Sequence, residues 1–501
     1  MNISARIITV LLAFTIVASA QGLTLETEAG ALRETIGNRT ETAELAVKGT
    51  LNLADFEFLA LEMKNLHTLD LSETTVTAYK GVPTFTGRTT GKAGILPDYA
   101  LLGLPLKSLA LPHGITAIGN GALAGLDIKE IIIPATVTAI GERAFADCKA
   151  LEKVSLPEAT ATIGEGAFKG CATLKSVEIN GKPDSIAPNT FAECHSLATI
   201  LLPQSIKKIG SSAFNGCVSL ASINFPAGLT HIGERAFNGT GLTEADLSGC
   251  GSLAMTGDWA FAGCSSLSAV TLPAGMTGIG TGTFFNNSSL TGAMLPESMT
   301  SIPDFAFTGA SGDGNLLKDT AIETIGKYAL ADWSAVQVFT LPASLAKLED
   351  GAMADWSALD SIKAGELIAV PVLGSDVWGN LDKSTVVLTV NEDTKNEFES
   401  TPQWRDFKIE TNDTTTMLPA IKADTAPIEA YFNGMALTLH APAAITAIQI
   451  HDTSGRSYLL PVSRNNDGTT ACIDTSAMDT PVMIVRVVLE NGSAASLKLY
   501  R

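Results

Sequence analysis

Apolar positions recur at a fixed interval through the middle of this chain. Between residues 163 and 225 an order of Ile, Phe, Cys, Leu and a β-branched residue occurs three times. The three phenylalanines, Phe168, Phe191 and Phe214, are each 23 residues apart. Self-similarity at such a period is typical of a solenoid, in which each coil buries its apolar face only against its neighbours.

The phenylalanine position extends this period well beyond those three units. Its occupants, in chain order, are Leu101, Leu123, Phe145, Phe168, Phe191, Phe214, Phe237, Phe261, Phe284, Phe307, Leu330 and Met353. The intervals between them stay between 22 and 24 residues. Because almost nothing is inserted, the sequence predicts a regular array of stacked coils rather than several unrelated domains.

Each unit has two parts with different patterns. The first part, typified by Ile163 to Cys171, places Ile, Ala and Phe inward around a glycine turn and is too short for much helix. The second part, as in Leu151 to Pro157, alternates as a strand does and ends at proline. These patterns predict an α/β-type repeat solenoid whose parallel sheet has one strand in each coil of about 23 residues.

Flanking segments differ from the array in composition. The predicted segments, in order, are a signal peptide (1–20), an N-terminal cap (21–90), the repeats (91–365), a C-terminal cap (366–410), a threonine-rich linker (411–427) and a small β-sandwich (428–501). The sandwich is predicted from short alternating strands separated by turns such as Asn433-Gly434 and Asp467-Gly468.

Charge and the N-terminus restrict the location and the partners. Arg6, the apolar run Ile7 to Val17 and the small residues before Gln21 are typical of a secretory signal peptide, with cleavage near Ala20. No later apolar run is long enough to span a membrane. The formal net charge of -19 argues against nucleic acid and against a basic membrane-binding patch.

Cysteines recur with the same period as the phenylalanines. Cys148, Cys171, Cys194 and Cys217 are spaced by 23 residues, and Cys264 occupies the same position two coils later. One interpretation is a buried position filled by a small apolar residue. Disulfides between neighbouring coils are the alternative, since coils about 4.8 Å apart satisfy the distance requirement.

Motifs for catalysis, cofactors and metals are not apparent in the sequence. Gly-x-Gly strings such as Gly164-Glu-Gly166 share one phase of the repeat and are interpreted as turns rather than phosphate-binding loops. The six histidines are scattered without a ligand spacing. We therefore predict no catalytic, cofactor-binding or metal-binding residues, and an uncharacterised hydrolase is the weakest alternative.

The candidate binding face is the outward position of the predicted strands, where the coils differ. Its residues are Ile132, Ser155, Glu178, Leu201, Asn224, Asp246, Thr271 and Met294. Sheet faces of solenoids commonly bind partners, and this mixture of small, polar and isolated apolar side chains suits a protein surface. A merely solvated sheet face is the alternative. A glycan-binding protein would need exposed aromatics, for which Trp333, Trp356 and Trp378 are the candidates.

The repeat unit resembles the BspA-type leucine-rich repeat of bacterial surface proteins. Residues 151 to 217 match its order of Leu-x-x-Val-x-Leu-Pro and Ile-x-x-Ile-Gly-x-x-Ala-Phe-x-x-Cys almost position for position. The resemblance implies a leucine-rich-repeat arc on a secreted or cell-surface protein. It also implies a role in adhesion to host matrix proteins or to neighbouring cells, and no enzymatic activity.

The C-terminal segment more loosely resembles the sorting domain of the type IX secretion pathway. The matching pieces are Ala447 to Asp452, Ser454-Gly455-Arg456, Ile473 to Ser476 and Val482 to Leu489. This resemblance implies that the tail directs export or attachment to the outer cell surface.

Overall fold

The computed structural model divides into two compact units, residues 1–411 and 412–501. The structure describes residues 17–19, 22–84, 86–312, 314–318, 320–367, 369–411, 428–433, 436–452, 457–458, 460–476, 482–490 and 494–500. Residues 412–427 of the predicted linker and most of the predicted signal peptide lie outside the described residues. The cleavage site therefore stays a prediction.

The first unit begins with a short α/β segment. Its strands are Val17–Ser19, Gly22–Thr27, Glu44–Leu51, Thr68–Asp70, Thr74–Val76, Tyr79–Lys80 and Thr90–Gly91, and its helices are Leu32–Ile36 and Leu53–Glu62. The Asp55 carboxylate accepts hydrogen bonds from the backbone N–H groups of Asn52 and Leu32, at 2.8 and 3.0 Å. One buried side chain thus completes the capping box of the second helix and holds the start of the first.

Parallel strands from the Leu-x-x-Val-x-Leu part of each coil form a first ladder. Its strands are Ser108–Ala110, Lys153–Leu156, Ser176–Ile179, Thr199–Ile200, Glu244–Asp246, Ala269–Thr271, Gly292–Met294, Val338–Thr340 and Ser361–Ala364. Val154 pairs with Val177, and Val177 pairs with Ile200, so equivalent residues of successive coils lie side by side. This register follows from the period, because a shift by one residue would turn the apolar side chains away from the core.

A second parallel ladder shows that the prediction of one strand per coil was too low. Its two-residue strands are Ile95–Leu96, Ala117–Ile118, Ala139–Ile140, Thr162–Ile163, Ser185–Ile186, Lys208–Ile209, His231–Ile232, Ser301–Ile302, Thr324–Ile325, Lys347–Leu348 and Val372–Leu373. Each is the dipeptide that ends with the Ile, or its Leu replacement, before the glycine position. A dipeptide is too short to show alternation in the sequence, although its backbone pairs with both neighbours.

The two ladders are interrupted at different places. Among the described strands, the first ladder stops after Thr199–Ile200 and resumes at Glu244–Asp246. Across this interval the second ladder is continuous, because Ile209 pairs with Ile232 and Ile232 bridges to Thr256. Backbone hydrogen bonding on one side of the coil therefore covers a gap on the other side.

The complementary interruption occurs in the second ladder. Its described strands are not paired between Thr162–Ile163 and Ser185–Ile186, where the first ladder joins Val154 to Val177. The same relation holds along the rest of the array. Every boundary between neighbouring coils consequently carries at least one parallel backbone pair.

The phenylalanine column forms the centre of the core. Phe191 is fully buried and stacks on Phe168 and Phe214, with ring centroids 5.6 and 5.4 Å apart. Similar stacking continues from Phe145 to Phe307. Since every coil contributes the same ring at the same place, each burial depends on the coils above and below, as the period predicts.

The cysteine column does more than fill volume. The Cys194 thiol donates a hydrogen bond to the Phe168 carbonyl of the preceding coil, with Sγ 3.2 Å from the oxygen. Equivalent bonds are made by Cys148, Cys171, Cys217, Cys264, Trp333 and Trp356. The cysteines are free thiols in this structure, so the buried-position interpretation holds in the modified form of a buried donor.

The first unit ends with a helix and two further strands of the first ladder. These elements are the 3-10 turn Lys383–Thr385, the strand Val387–Val390, the helix Glu392–Ser400, the 3-10 turn Trp404–Asp406 and the strand Lys408–Thr411. Trp404 and Phe398 are fully buried, with ring centroids 5.2 Å apart. They cover the last apolar coil, which would otherwise be exposed to water.

The second unit consists of two antiparallel sheets of four strands. One contains Glu429–Asn433, Ala436–His440, Thr470–Asp474 and Val462–Arg464; the other contains Ser457–Tyr458, Ile445–Asp452, Val482–Leu489 and Ala494–Tyr500. Leu437 and Ile473 from the first sheet belong to the same hydrophobic cluster as Ile450 and Val485 from the second. The β-sandwich and its relation to sorting domains remain predictions.

Candidate functional site

The eight residues of the candidate binding face occupy equivalent positions of successive coils. In the first ladder Ser155 pairs with Glu178, and Thr271 pairs with both Asp246 and Met294. Ile132, Leu201 and Asn224 lie in the same column, but in coils where the described first ladder does not extend as a strand. The structure therefore brings the eight positions into one column, although three of them are on irregular backbone.

Three large apolar side chains of this column project into solvent. Ile132, Leu201 and Met294 are 88%, 73% and 70% exposed, respectively. Single exposed hydrophobic residues are ordinary on protein surfaces. Their position in one column on one sheet face is what makes these three candidates for contact with a partner.

Two depressions adjoin these side chains where the first ladder is interrupted. One, of ≈ 530 Å³, is open and is bordered by Glu178, Leu201 and Asn224. The other, of ≈ 210 Å³, lies between Met294 and the buried ring of Trp333. It forms because the segment around residues 315–318 makes a turn where neighbouring coils have a strand. The missing strands thus create the concave parts of an otherwise regular surface.

Asn224 was wrongly predicted as a freely exposed binding residue. It is half-buried, and its side-chain amide makes two hydrogen bonds with the backbone of Leu202. Oδ1 accepts from the Leu202 N–H at 2.7 Å, and Nδ2 donates to the Leu202 carbonyl at 2.8 Å. The amide replaces the strand pairing that is interrupted at this coil, so its main role is structural.

Charged residues of both signs lie on this face. Lys153 Nζ is 2.9 Å from the Glu178 carboxylate, and both side chains are more than half exposed. The hydrogen bond from Lys153, followed by that from Ser155, lowers the pKa of Glu178. Bonding to Ser248 similarly lowers the pKa of Asp246. Both carboxylates are therefore ionised at neutral pH, and the pair is too exposed to contribute much to stability.

The three tryptophans expected to form a sugar-binding surface are in the core. Trp333, Trp356 and Trp378 are 1%, 0% and 0% exposed, respectively. Trp333 and Trp356 occupy the cysteine column and stack with centroids 5.5 Å apart. The prediction is wrong because an indole can fill a large core volume while its N–H satisfies a buried carbonyl.

A different aromatic column is partly exposed and was missed by sequence reasoning. Tyr99, Trp259, Phe305 and Tyr328 lie two residues before the phenylalanine position of their coils. All four have positive φ angles, between 53° and 60°. The same 23-residue ruler, shifted by two positions, identifies this column from the sequence.

Features associated with catalysis do not gather at either surface. Gly164 and Gly166 are turn residues: a Cβ at Gly164 would lie 2.6 Å from the Glu142 nitrogen, and Gly166 has a φ of +59°. Within the described residues, no group of three or more His, Cys, Asp or Glu side chains is arranged to hold a metal ion. The helices of the described ranges are also too short or too polar to cross a membrane.

Comparison with solved structures identifies the same architecture. A leucine-rich repeat protein from Bacteroides ovatus is 16% identical, with 80% of this chain and 97% of that protein covered at a TM-score of 0.54. The pneumococcal vaccine antigen PcpA is 17% identical, with coverages of 80% and 96% and a TM-score of 0.38. A leucine rich cell surface protein from Faecalibacterium prausnitzii is 18% identical, with coverages of 73% and 93% and a TM-score of 0.31. At these identities the likeness concerns the fold alone.

Sequence comparison gives the family. No curated protein matches the chain. The family described as BspA type Leucine rich repeat region, in six copies, matches residues 94–199, 184–313 and 315–416. These matches cover more than half of the 501 residues and include both ladders of the array. The chain therefore belongs to the BspA type leucine-rich repeat family.

Proposed function

We propose that this protein is an exported surface protein that binds other proteins, as an adhesin for host matrix or neighbouring-cell components. The observation that carries the proposal is the column of Ile132, Leu201 and Met294, which are largely exposed beside depressions in the first ladder. Membership of a repeat family of surface proteins supports the same conclusion. Binding, rather than catalysis, is the function that this arrangement favours.

The energetics of such an interface depend on a few anchors. Burying Leu201 or Met294 against a partner contributes roughly 1.5–3 kcal/mol each, by the usual value for a large apolar side chain. The depression beside Met294 could accept an apolar side chain of the partner, and anchors of that type dominate many interfaces. Charged neighbours such as Lys153 and Glu178 would set orientation more than affinity.

Binding by variants tests the proposed face directly. The mature chain is immobilised and titrated with purified extracellular-matrix proteins and with surface extracts of neighbouring bacteria. For each partner found, Leu201→Arg and Met294→Arg are expected to raise Kd at least tenfold, because a charged side chain must be desolvated at a contact. Asn224 is left unchanged, since its substitution would break backbone hydrogen bonds.

Val218→Arg provides the matched control. Val218 is 57% exposed but lies in the turn after Cys217, outside the first ladder. Its substitution should leave Kd unchanged, while far-UV circular dichroism confirms that all three variants are folded. Equal affinities of Leu201→Arg, Met294→Arg and the parent for every partner would refute the assignment of the face.

Export and attachment form the second half of the proposal. Residues 1–20 serve as the signal peptide, and residues 428–501 serve as a sorting-domain-like β-sandwich. The apolar cluster around Leu437 and Val485 supports an independently packed tail. Expression in a bacterium with type IX secretion, with and without residues 428–501, tests it: the deletion should leave the protein in the periplasm. Surface display of the truncated chain would contradict this role.

A further inference from the structure

The structure also contains an aromatic surface that the protein-binding face does not include. We propose that Trp259, Phe285, Phe305 and Tyr328, here called the aromatic ridge, bind a neutral polysaccharide. The ridge lies in the turns between the second ladder and the cysteine column, whereas the protein-binding face lies on the first ladder. The two proposals are therefore independent.

The rings of the ridge form one continuous apolar surface. Phe305 and Tyr328 stack with centroids 5.6 Å apart, and Trp259 and Phe305 with centroids 6.3 Å apart. Phe285 contacts Trp259 edge-on at 5.3 Å. Gly282 leaves the place between Trp259 and Phe305 free, because a Cβ there would lie 2.4 Å from Cε3 of the indole.

Packing of the core does not account for these rings. In the same coils the buried column is already complete, with Phe261, Phe284 and Phe307 at 0–1% exposure. Tyr328 is 44% exposed, and the other ridge rings are half-buried. The aromatic side chains therefore lie outside the apolar interior that stabilises the coil.

The backbone conformation makes these aromatics costly to place. Trp259, Phe305 and Tyr328 have φ angles of 57°, 60° and 53°, a region that bulky residues rarely adopt. Other coils use Gly166 or Asn189 at this position, for which that conformation is much less strained. Strain that is retained in a partly exposed side chain points to a binding role rather than to stability.

Hydrogen-bonding groups border the ridge and indicate the class of ligand. Asp258 Oδ1 and Asp304 Oδ1 each accept a backbone N–H of the next coil at 2.8 Å. In the described part of the chain, the Oδ2 atoms of these two aspartates make no hydrogen bond or ion pair. Asn286 and Asp332 are exposed on the other border, also with positive φ.

This combination matches carbohydrate chemistry. Sugar rings present C–H groups that pack against aromatic rings, and hydroxyl groups that donate to carboxylate and amide oxygens. Fixing one carboxylate oxygen on the backbone orients the other before any ligand arrives. The aspartates and the net charge of -19 disfavour anionic chains. A linear neutral polysaccharide, which repeats along one direction as the ridge does, is the ligand that fits.

Tryptophan fluorescence provides a direct probe of the ridge. The chain has five tryptophans, and Trp259 is half-buried while Trp333, Trp356, Trp378 and Trp404 are buried. Acrylamide should therefore quench Trp259 selectively. We expect a neutral polysaccharide, among soluble glucans, mannans, xylans and chitin oligosaccharides, to protect it, whereas anionic pectin and heparin should not.

Variants that relieve the strain separate binding from folding. Phe305→Asn with Tyr328→Asn introduces a residue that the column already accepts at Asn189, so stability should be maintained. Affinity for the protecting polysaccharide should fall at least tenfold. Tyr99→Asn is the matched control, because Tyr99 occupies the same column and is 54% exposed but lies far from the ridge. Its affinity should be unchanged, as should that of Leu201→Arg.

Two results would overturn the proposal. One is that none of these neutral polysaccharides protects Trp259, or that the double variant binds them as the parent does. The other is that sedimentation shows a dimer that the double variant abolishes, since the ridge would then be covered by a second copy of the chain. A loss of polysaccharide binding in Leu201→Arg alone would place the site on the first ladder instead.

Discussion

Replacing Cys194 separates the two roles of its thiol, which are to fill volume and to donate a hydrogen bond. The side chain is fully buried, and its Sγ donates to the Phe168 carbonyl at 3.2 Å. Serine keeps a donor at the same place, whereas alanine removes both the donor and the sulfur. If the column requires a donor, Cys194→Ser should be tolerated better than Cys194→Ala.

The expected cost can be worked out from these contacts. The Phe168 carbonyl also accepts the Cys171 N–H at 3.2 Å, so it keeps one partner after the thiol is lost. The penalty for the missing second bond is therefore near the low end of the usual range, about 1 kcal/mol. Loss of the buried sulfur and the small cavity add about 1 kcal/mol. Cys194→Ala should thus lower the free energy of unfolding by about 2 kcal/mol, and Cys194→Ser by less than about 1 kcal/mol.

Urea unfolding of the full chain, followed by circular dichroism and by tryptophan fluorescence, provides the measurement. Coincident transitions from the two probes would justify a two-state analysis of the array. Cys194→Val is the control, because it fills the volume without a donor, and it should be less stable than Cys194→Ser. The reasoning is refuted if valine or alanine is as well tolerated as serine.

The remaining predictions concern other buried positions. Burial raises the pKa of Cys194 to about 12, so alkylation by iodoacetamide at pH 8, followed by mass spectrometry, should be roughly a thousandfold slower in the folded protein than in urea; equal rates would show an accessible thiol. Phe191→Ala should cost about 4 kcal/mol in urea unfolding but Phe191→Leu only about 1 kcal/mol, since leucine occupies the same column at Leu123; equal costs would contradict the stacked core. Asn287 is buried with an unpartnered Nδ2 among the described hydrogen bonds, so Asn287→Cys should raise the unfolding free energy by about 1 kcal/mol, and a loss would show that its Oδ1 contact with Cys264 matters more.

The repeat period predicts the core well because burial imposes the same demand on every coil. Phe168, Phe191 and Phe214 recur since each ring packs on its equivalents, and the sequence records this repetition directly. The second ladder is less visible. Dipeptides such as Thr162–Ile163 are held by backbone pairing with other coils, and backbone pairing leaves little trace in residue type.

The candidate site was harder to predict because its features depend on contacts between coils. Asn224 has the polarity of an exposed residue, yet its amide bonds to Leu202 in the preceding coil. Trp333 has the size of a surface platform, yet it donates to the Phe307 carbonyl within the core. In both cases the residue type allows either role, and only the neighbouring coil decides between them.

The staggered interruptions of the two ladders resemble brickwork, in which no joint runs straight through the wall. Because each boundary between coils is bonded on at least one side, the array has no seam held by side chains alone. A depression such as that beside Leu201 can open in one ladder without dividing the molecule. The fold can therefore vary its binding surface coil by coil while remaining a single cooperative body, and fraying should begin at its ends.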